Sequence, residues 1–384
     1  IIMKIVADEN IPLLSCFFDK IGQITQLAGR DIKADDLVDA DILIVRSVTE
    51  VNQALLENST VKFVGSCTIG MDHIDTDYLN KKGIRYENAP GCNANSVVEY
   101  ILSCLSILTE THRTDWSEVS VGIVGYGNVG SLLAKRLEKL GICYKAYDPL
   151  LDETTQQQAS LVSFEEVLAC DIVSLHVPLT TDGDYPTYHM INEQVLSQMG
   201  SDHVLINTCR GAVINNEQLS AHLQKENAFT AILDVWENEP FINPELARKV
   251  LIGTPHIAGY SFDGKVSGTE MIYRELCQFL GLPARFSSGQ FLEEPALSKM
   301  AFTSTADIDW CIHTAIRACF DARHDHSLLQ STLSLTEAER GAAFDAFRKS
   351  YRCRREFSGV KIQLKQVDSE LHSKFKALGF NVKT

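Results

Sequence analysis

Length, composition and charge exclude several classes of protein. The chain has 384 residues, 45% of them hydrophobic and 22% charged, so we expect two or three folded domains and little disorder. The formal net charge of −15 argues against nucleic acid or an anionic membrane surface as a partner. The sequence contains no apolar run of the roughly 20 residues that would span a bilayer, and its N-terminus shows no signal-peptide pattern.

The cysteines predict a reducing compartment, and the charge of the C-terminal segment predicts what that segment contacts. The 11 cysteines are odd in number and form no C-x-x-C pair, so we expect reduced thiols in the cytoplasm and no structural metal. Residues 340–384 carry a clear excess of Lys and Arg over Asp and Glu. Because no nucleic-acid-binding pattern accompanies this excess, we interpret the segment as a solvated face or as a surface that packs on an acidic body or a partner subunit.

The first part of the chain predicts a parallel α/β sheet. Short strands are expected at 4–9, 41–46 and 61–66. Helix-like stretches such as 51–56 lie between them, and alternation of strands with helices is typical of parallel sheets. Residues 95–109 are apolar almost all round, which predicts a helix buried between two domains.

A second α/β unit and a different C-terminal region follow. Further strands are expected at 119–124, 144–147, 171–176, 203–207 and 230–235. This order predicts a doubly wound sheet. Residues 282–297 have the composition of a linker. Beyond them, helices at 307–320 and 336–348 and a strand at 360–364 predict an α+β module.

A glycine-rich motif, G-x-G-x-x-G, lies between the strand at 119–124 and a helix at 131–140. Its loop residues are Gly125, Gly127, Asn128, Val129 and Gly130. In this context the glycines permit a tight turn, close approach of a pyrophosphate and close helix–strand packing. Asp148 ends the next strand, where a carboxylate would accept ribose hydroxyls and repel the additional phosphate of NADP. NAD is therefore the predicted cofactor.

Three polar residues follow successive strands of the second unit: Arg210, Glu239 and His256. Loops at the carboxyl ends of neighbouring parallel strands converge at one edge of the sheet. A histidine can remove a hydroxyl proton near neutral pH, and a carboxylate can orient its ring. A guanidinium can hold a substrate carboxylate with two hydrogen bonds. We assign these roles to His256, Glu239 and Arg210, and together they suit oxidation of a 2-hydroxy acid.

Four segments carry a family resemblance: 122–130, 207–212, 234–240 and 255–260. In order and spacing they resemble the D-isomer-specific 2-hydroxyacid dehydrogenases over residues 3–281. The resemblance implies that the Arg, Glu and His just named are catalytic. It also implies two doubly wound parallel-sheet domains, a Rossmann NAD domain and a flavodoxin-like substrate domain.

Four further segments indicate which members of that family the chain resembles most: 45–49, 65–73, 89–94 and 256–261. They are similar to members that oxidise a phosphorylated hydroxy acid and dimerise through a C-terminal domain. This implies substrate contacts at Ser47, Thr68 and Tyr260. It also implies NAD contacts at Val177, Asp234 and Gly259, where a valine offers a backbone or apolar contact.

The residue types agree with a phosphorylated substrate. Arg46, at a strand end, offers a fork of donors for phosphate, and Ser47 adds a hydroxyl. The small, polar loop 66–70 can direct backbone N–H groups at a carboxylate. Lys265 is a weaker phosphate candidate, for which a surface lysine is the preferred interpretation.

We therefore expect three domains: a substrate-binding domain (3–96 with a return helix at 256–281), an NAD-binding domain (97–255) and a C-terminal dimerisation domain (290–384). The first alternative is a related dehydrogenase for another phosphorylated acid, such as 3-phosphoglycerate. The second is an NAD-sensing protein similar to the corepressors built on this fold. As a hypothesis, basic residues near 348–355 approach the acidic body or active-site mouth of the partner in a homodimer.

Overall fold

The computed structural model describes residues 3–112, 115–303, 305–365 and 369–383. Within these ranges the strands are β1 (Met3–Asp8), β2 (Gly22–Leu27), β3 (Ile42–Val45), β4 (Phe63–Ser66), β5 (Arg85–Glu87), β6 (Ser120–Val124), β7 (Cys143–Tyr147), β8 (Ile172–Leu175), β9 (Val204–Asn207), β10 (Thr230–Leu233), β11 (Ile252–Gly253), β12 (Lys299–Thr303), β13 (Lys361–Lys365) and β14 (Asn381–Lys383). The α-helices are α1 (Leu14–Phe18), α2 (Gln53–Leu56), α3 (Thr76–Lys82), α4 (Ala94–His112), α5 (Asn128–Leu140), α6 (Glu153–Gln158), α7 (Phe164–Leu168), α8 (Glu193–Leu196), α9 (Asn216–His222), α10 (Pro244–Lys249), α11 (Phe262–Leu280), α12 (Ile308–Cys319), α13 (Ala322–Gln330), α14 (Glu337–Lys349) and α15 (Ser369–Leu378). None of these helices is long and apolar enough to cross a membrane.

The chain forms two compact units. The first combines the N-terminal segment, up to residue 94, with residues 261–294. The second combines residues 95–260 with the chain from 295 onward. The boundaries of the three expected domains stay predictions.

The first unit contains a five-stranded parallel sheet in the order β2-β1-β3-β4-β5. This is the flavodoxin-like order that the family resemblance implied. The interior strand β3 is buried along its whole length, as its apolar run predicted. Helix α11 packs on the sheet, where Gly65 leaves space for the side chain of Ile272. Two edge strands were not predicted: β2 mixes polar with apolar residues, and β5 is only three residues long.

The second unit contains a six-stranded parallel sheet in the order β11-β10-β9-β8-β6-β7. The strand order changes direction between β6 and β8, which is the switch point where such sheets bind ligands. Helix α4 lies in the main core together with side chains from α5 and β6, which explains why it is apolar around most of its circumference. The doubly wound fold is therefore confirmed.

The C-terminal part of the second unit adds helices and a three-stranded parallel sheet, β12-β13-β14. Helices α12 and α14 and strand β13 match the predicted segments. The sequence analysis did not predict the strands β12 and β14 or the helices α13 and α15. Within this part the rings of Phe357 and Phe380 stack with their centroids 4.7 Å apart. A hydrogen bond of 2.8 Å from Arg136 to the Ala377 carbonyl connects it to helix α5.

Candidate active site

Arg210, Glu239 and His256 line one pocket of the second unit, about 330 Å³ in volume. They lie in the loops that follow β9, β10 and β11, three adjacent strands of the sheet. The convergence expected from parallel strands thus places an acid–base pair and a guanidinium around one space. Leu179 and Tyr188, which the sequence did not single out, line the same pocket.

The histidine and the glutamate form a direct pair. The distance between His256 Nδ1 and Glu239 Oε2 is 2.7 Å, and the side chains are 31% and 20% exposed. The second carboxylate oxygen, Oε1, accepts a hydrogen bond of 2.9 Å from the backbone N–H of Trp236, and this bond fixes the plane of the carboxylate. A proton on Nδ1 makes Nε2 the acceptor of the neutral ring.

A buried carboxylate holds the loop of His256. Asp234 Oδ1 accepts hydrogen bonds from the Thr254 hydroxyl at 2.7 Å and the Ile257 N–H at 2.8 Å, and Oδ2 accepts the Ala258 N–H at 2.9 Å. Burial raises the pKa of Asp234 above its ordinary value, and the nearby His256 and these hydrogen bonds offset only part of that rise. Asp234 therefore anchors the loop of His256, and its expected contact with NAD stays a prediction.

The backbone at His256 has an uncommon conformation. Its φ is 56°, in the left-handed region that few residues other than glycine adopt. Its N–H donates to the Asp234 carbonyl at 2.8 Å. Asn238, in the loop of Glu239, also has a left-handed φ, of 61°. Backbone strain of this kind is concentrated at functional sites.

Arg210 is exposed in the pocket, and two of its neighbours determine its position. Buried Asn207 donates through Nδ2 to the Arg210 carbonyl at 3.0 Å and accepts the Cys209 N–H at 3.1 Å. Gly211 lies against the main chain of Trp236, so a side chain there would overlap the Trp236 carbonyl group. The sequence missed the roles of Asn207 and Gly211, although a polar residue at the end of an apolar strand was an available signal.

The glycine-rich loop fits a dinucleotide. Gly125 has φ of 94°, and a Cβ there would lie 2.5 Å from the His176 carbonyl oxygen. Gly130 lies so close to the Gly125 carbonyl that a side chain would overlap it. No neighbouring atom lies within 4 Å of the position that a Cβ of Gly127 would take. Helix α5 starts at Asn128 without a side-chain cap, so the first N–H groups of the helix can bind phosphate. Val129 lies in the first turn of the same helix.

Two further predicted contacts surround this loop. Asp148 is half-buried and accepts the Tyr126 N–H at 2.9 Å and the Leu150 N–H at 3.1 Å. Val177 follows β8, and its Cγ1 atom lies beside Gly125. The preceding residue, His176, has its pKa lowered to about 3 by burial, so its ring is neutral beside the loop. Gly259 belongs to the loop that Asp234 anchors, one residue beyond Ala258.

The predicted substrate residues fall in both units. In the first unit, Arg46 and Ser47 follow β3 and Thr68 follows the adjacent β4, so they share one edge of that sheet. Arg46 Nε donates to the buried carboxylate of Asp8 at 3.0 Å. The Thr68 hydroxyl lies 2.8 Å from that of Ser66.

Tyr260 lies in the second unit, at the end of the loop that carries His256. Its N–H donates to the Ile257 carbonyl at 2.8 Å. Its ring lies 5.8 Å from that of Tyr351 and 5.6 Å from the guanidinium of Arg348. The sequence did not indicate that residues of the C-terminal segment contact this loop.

The doubly wound fold, the open glycine loop and the Arg–Glu–His pocket define an NAD-dependent dehydrogenase of the D-2-hydroxy-acid class. Residues 107–258 match the family model described as "D-isomer specific 2-hydroxyacid dehydrogenase, NAD binding domain". Residues 291–379 match a model described as a domain of unknown function (DUF3410). A solved NAD-bound 3-phosphoglycerate dehydrogenase from Entamoeba histolytica is 23% identical with a TM-score of 0.60, covering 76% of this chain and all of that one, and shows the fold alone.

Similarity to curated relatives extends over nearly the whole chain. An erythronate-4-phosphate dehydrogenase from Marinobacter nauticus is 52% identical over 383 residues, covering 99% of this chain and 100% of the relative. One from Hahella chejuensis is 51% identical over 380 residues, covering 99% of each. The chain therefore belongs to the D-isomer-specific 2-hydroxyacid dehydrogenases, and among them to the erythronate-4-phosphate dehydrogenase family.

Proposed function

We propose that the chain oxidises 4-phospho-D-erythronate to (R)-3-hydroxy-2-oxo-4-phosphooxybutanoate, a step in the biosynthesis of pyridoxal 5'-phosphate. The observation that carries the proposal is the His256–Glu239 pair, with 2.7 Å between Nδ1 and Oε2, in a pocket that Arg210 also lines. This combination suits removal of a hydroxyl proton next to a bound carboxylate. The names of the relatives supply the particular substrate.

His256 acts as the base. In the neutral ring Nδ1–H donates to Glu239, so the lone pair of Nε2 takes the proton of the substrate hydroxyl as C2 becomes a carbonyl carbon. The adjacent carboxylate stabilises the imidazolium that forms. NAD supplies the acceptor for the hydride that leaves C2.

Arg210 binds the C1 carboxylate and polarises the C2 oxygen. Its guanidinium is exposed in the pocket, and one nitrogen, Nη1, donates to the Cys209 carbonyl at 2.8 Å. That bond orients the fork, and the remaining N–H groups can bind a carboxylate. Arg46, Ser47, Thr68 and Tyr260 are proposed to bind the rest of the phosphorylated acid.

The cofactor contacts are proposed at Gly125, Gly127, Asn128, Val129, Gly130, Asp148, Val177, Asp234 and Gly259. The open space above Gly127 and the uncapped start of α5 support them. A homodimer formed through the C-terminal segment and a cytoplasmic location complete the proposal.

Replacing Asp148 with asparagine is expected to raise the ratio of kcat/KM with NADP to that with NAD by about tenfold or more, because the charge that repels a 2'-phosphate is lost. The amide oxygen can still accept one of the two backbone N–H groups that the carboxylate binds. Steady-state kinetics with both cofactors measures the ratio. Asp152→Asn, the same charge change at the exposed N-cap of α6, is the control. An equal ratio in both variants would refute the role of Asp148.

The proposed function is tested by following NADH formation with purified protein and three acids: 4-phospho-D-erythronate, 3-phosphoglycerate and unphosphorylated erythronate. A parallel reaction contains a 2-oxo acid acceptor, so that NADH retained on the protein does not mask turnover. We expect preferential oxidation of 4-phospho-D-erythronate. Activity only with 3-phosphoglycerate would keep the mechanism and change the substrate. NAD binding without turnover of any acid would favour the NAD-sensing alternative.

A further inference from the structure

The C-terminal segment reaches the loop of His256 at two places within the second unit. Arg354 donates through Nη1 to the Ala258 carbonyl at 3.0 Å and through Nη2 to the Ser96 carbonyl at 2.7 Å. Tyr260 follows Ala258 by two residues. Its ring lies against the ring of Tyr351, and the guanidinium of Arg348 lies over its face. The C-terminal segment therefore forms part of the surroundings of the active-site loop.

The arginines of this segment differ in what they bind. Arg352 pairs with the buried carboxylate of Asp325 at 3.3 Å. Arg354 has the two carbonyl acceptors just named, and its guanidinium stacks 3.8 Å from the Phe320 ring. Arg348, in the last turn of α14, has neither a carboxylate nor a carbonyl acceptor among the described residues; its Nε is buried without a partner, as are those of Arg340 and Arg354.

A buried guanidinium nitrogen without an acceptor is unfavourable, because its hydration is lost without replacement. Because Nε is inaccessible, an anionic ligand would meet the terminal nitrogens, Nη1 and Nη2, for which the described residues supply no acceptor. Phosphate is well matched, since its oxygens accept two parallel hydrogen bonds from a guanidinium fork. The face of Tyr260 holds the fork in place by a cation–π contact, and its hydroxyl can donate to the same ligand.

We propose that Arg348 binds the phosphate group of the substrate, next to Tyr260, so that the C-terminal segment completes the substrate site of its own chain. The inference rests on the proposed function for the identity of the phosphorylated acid. It separates the roles of two arginines in the second unit: Arg210 binds the carboxylate at the reacting end, and Arg348 binds the phosphate at the other end. The chemistry of the hydride transfer does not involve Arg348.

The test compares full-length Arg348→Gln with wild-type protein, both saturated with NAD so that the dinucleotide site cannot bind added phosphate. Calorimetric titration measures the Kd of inorganic phosphate, and kinetics measures KM and kcat for 4-phospho-D-erythronate. We expect Kd and KM to rise about tenfold or more and kcat to change by less than about threefold, as for a lost charge-assisted contact away from the reacting atoms. Arg348→Lys, which keeps the charge but not the fork, should fall between the two.

Lys349→Gln is the matched control, because it removes an exposed charge from the same turn of α14. It should leave all three quantities unchanged. An unchanged phosphate Kd in Arg348→Gln would overturn the proposal, and so would an equal loss in the control. A parallel loss of NAD affinity and thermal stability in both Arg348 variants would indicate a structural role and would also overturn it. If wild-type protein binds phosphate but does not oxidise 4-phospho-D-erythronate, the proposed function fails while the binding role of Arg348 is still decided by calorimetry.

Discussion

Replacing His256 with asparagine is expected to lower kcat by about 10²–10⁴-fold, the usual contribution of a general base, while NAD affinity changes by less than about threefold. Asparagine is the appropriate substitute because it tolerates the left-handed φ of 56° better than alanine does. The loop should keep its conformation, since Asp234 holds it through the N–H groups of Ile257 and Ala258. Steady-state kinetics for kcat and fluorescence titration for NAD measure the two quantities.

Two further variants determine whether the loss belongs to this ring. His324→Asn, at an exposed position in α13, should leave kcat unchanged. Glu239→Gln keeps an oxygen for the backbone N–H of Trp236 but places its amide N–H groups at His256 Nδ1, which favours the tautomer with the proton on Nε2; a loss of about 10²–10⁴-fold is therefore expected here too. A His256→Asn protein that retains a tenth or more of wild-type kcat would show that another group takes the proton.

The interior strands of the fold could be predicted because burial on both faces requires continuous apolar sequence. Strand β3, entirely buried, is the clearest case. The edge strand β2 has only one sheet neighbour and keeps polar residues, so its sequence resembles that of a loop. Strands β12 and β14 are short and exposed at alternate positions, and they exist because β13 pairs with both.

The candidate active site could be predicted where chemistry restricts residue type. A base, a carboxylate and a guanidinium after successive strands are informative in any dinucleotide-binding fold. The residues that position these side chains are harder to predict. The sequence alone does not distinguish an Asp234 that anchors a loop from an Asp234 that binds a ligand. Arg348 shows a further limit: its contact with Tyr260 joins residues far apart in the chain, and composition alone does not indicate which loop a basic helix reaches.

Replacing Gly211 with alanine is expected to lower kcat/KM by about 10²-fold and the free energy of unfolding by about 1–3 kcal/mol. The reason is steric, since the new Cβ would overlap the Trp236 carbonyl group and lie 2.5 Å from the Glu237 backbone nitrogen. Main-chain atoms cannot rotate away as a flexible side chain does. The loop of Arg210 and the loop of Glu239 must therefore separate, and the Trp236 N–H that orients the Glu239 carboxylate moves with them.

Gly200→Ala is the matched control, because the nearest atom to its new Cβ is His203 Nδ1 at an ordinary 3.8 Å. Urea unfolding and steady-state kinetics on both variants distinguish a local clash from a general effect of adding a methyl group. If Gly211→Ala loses stability but keeps kcat/KM, the two loops do not depend on their close approach for catalysis. If it loses both while NAD affinity is retained, the spacing of these loops sets the position of Glu239, and through it the orientation of the His256 ring.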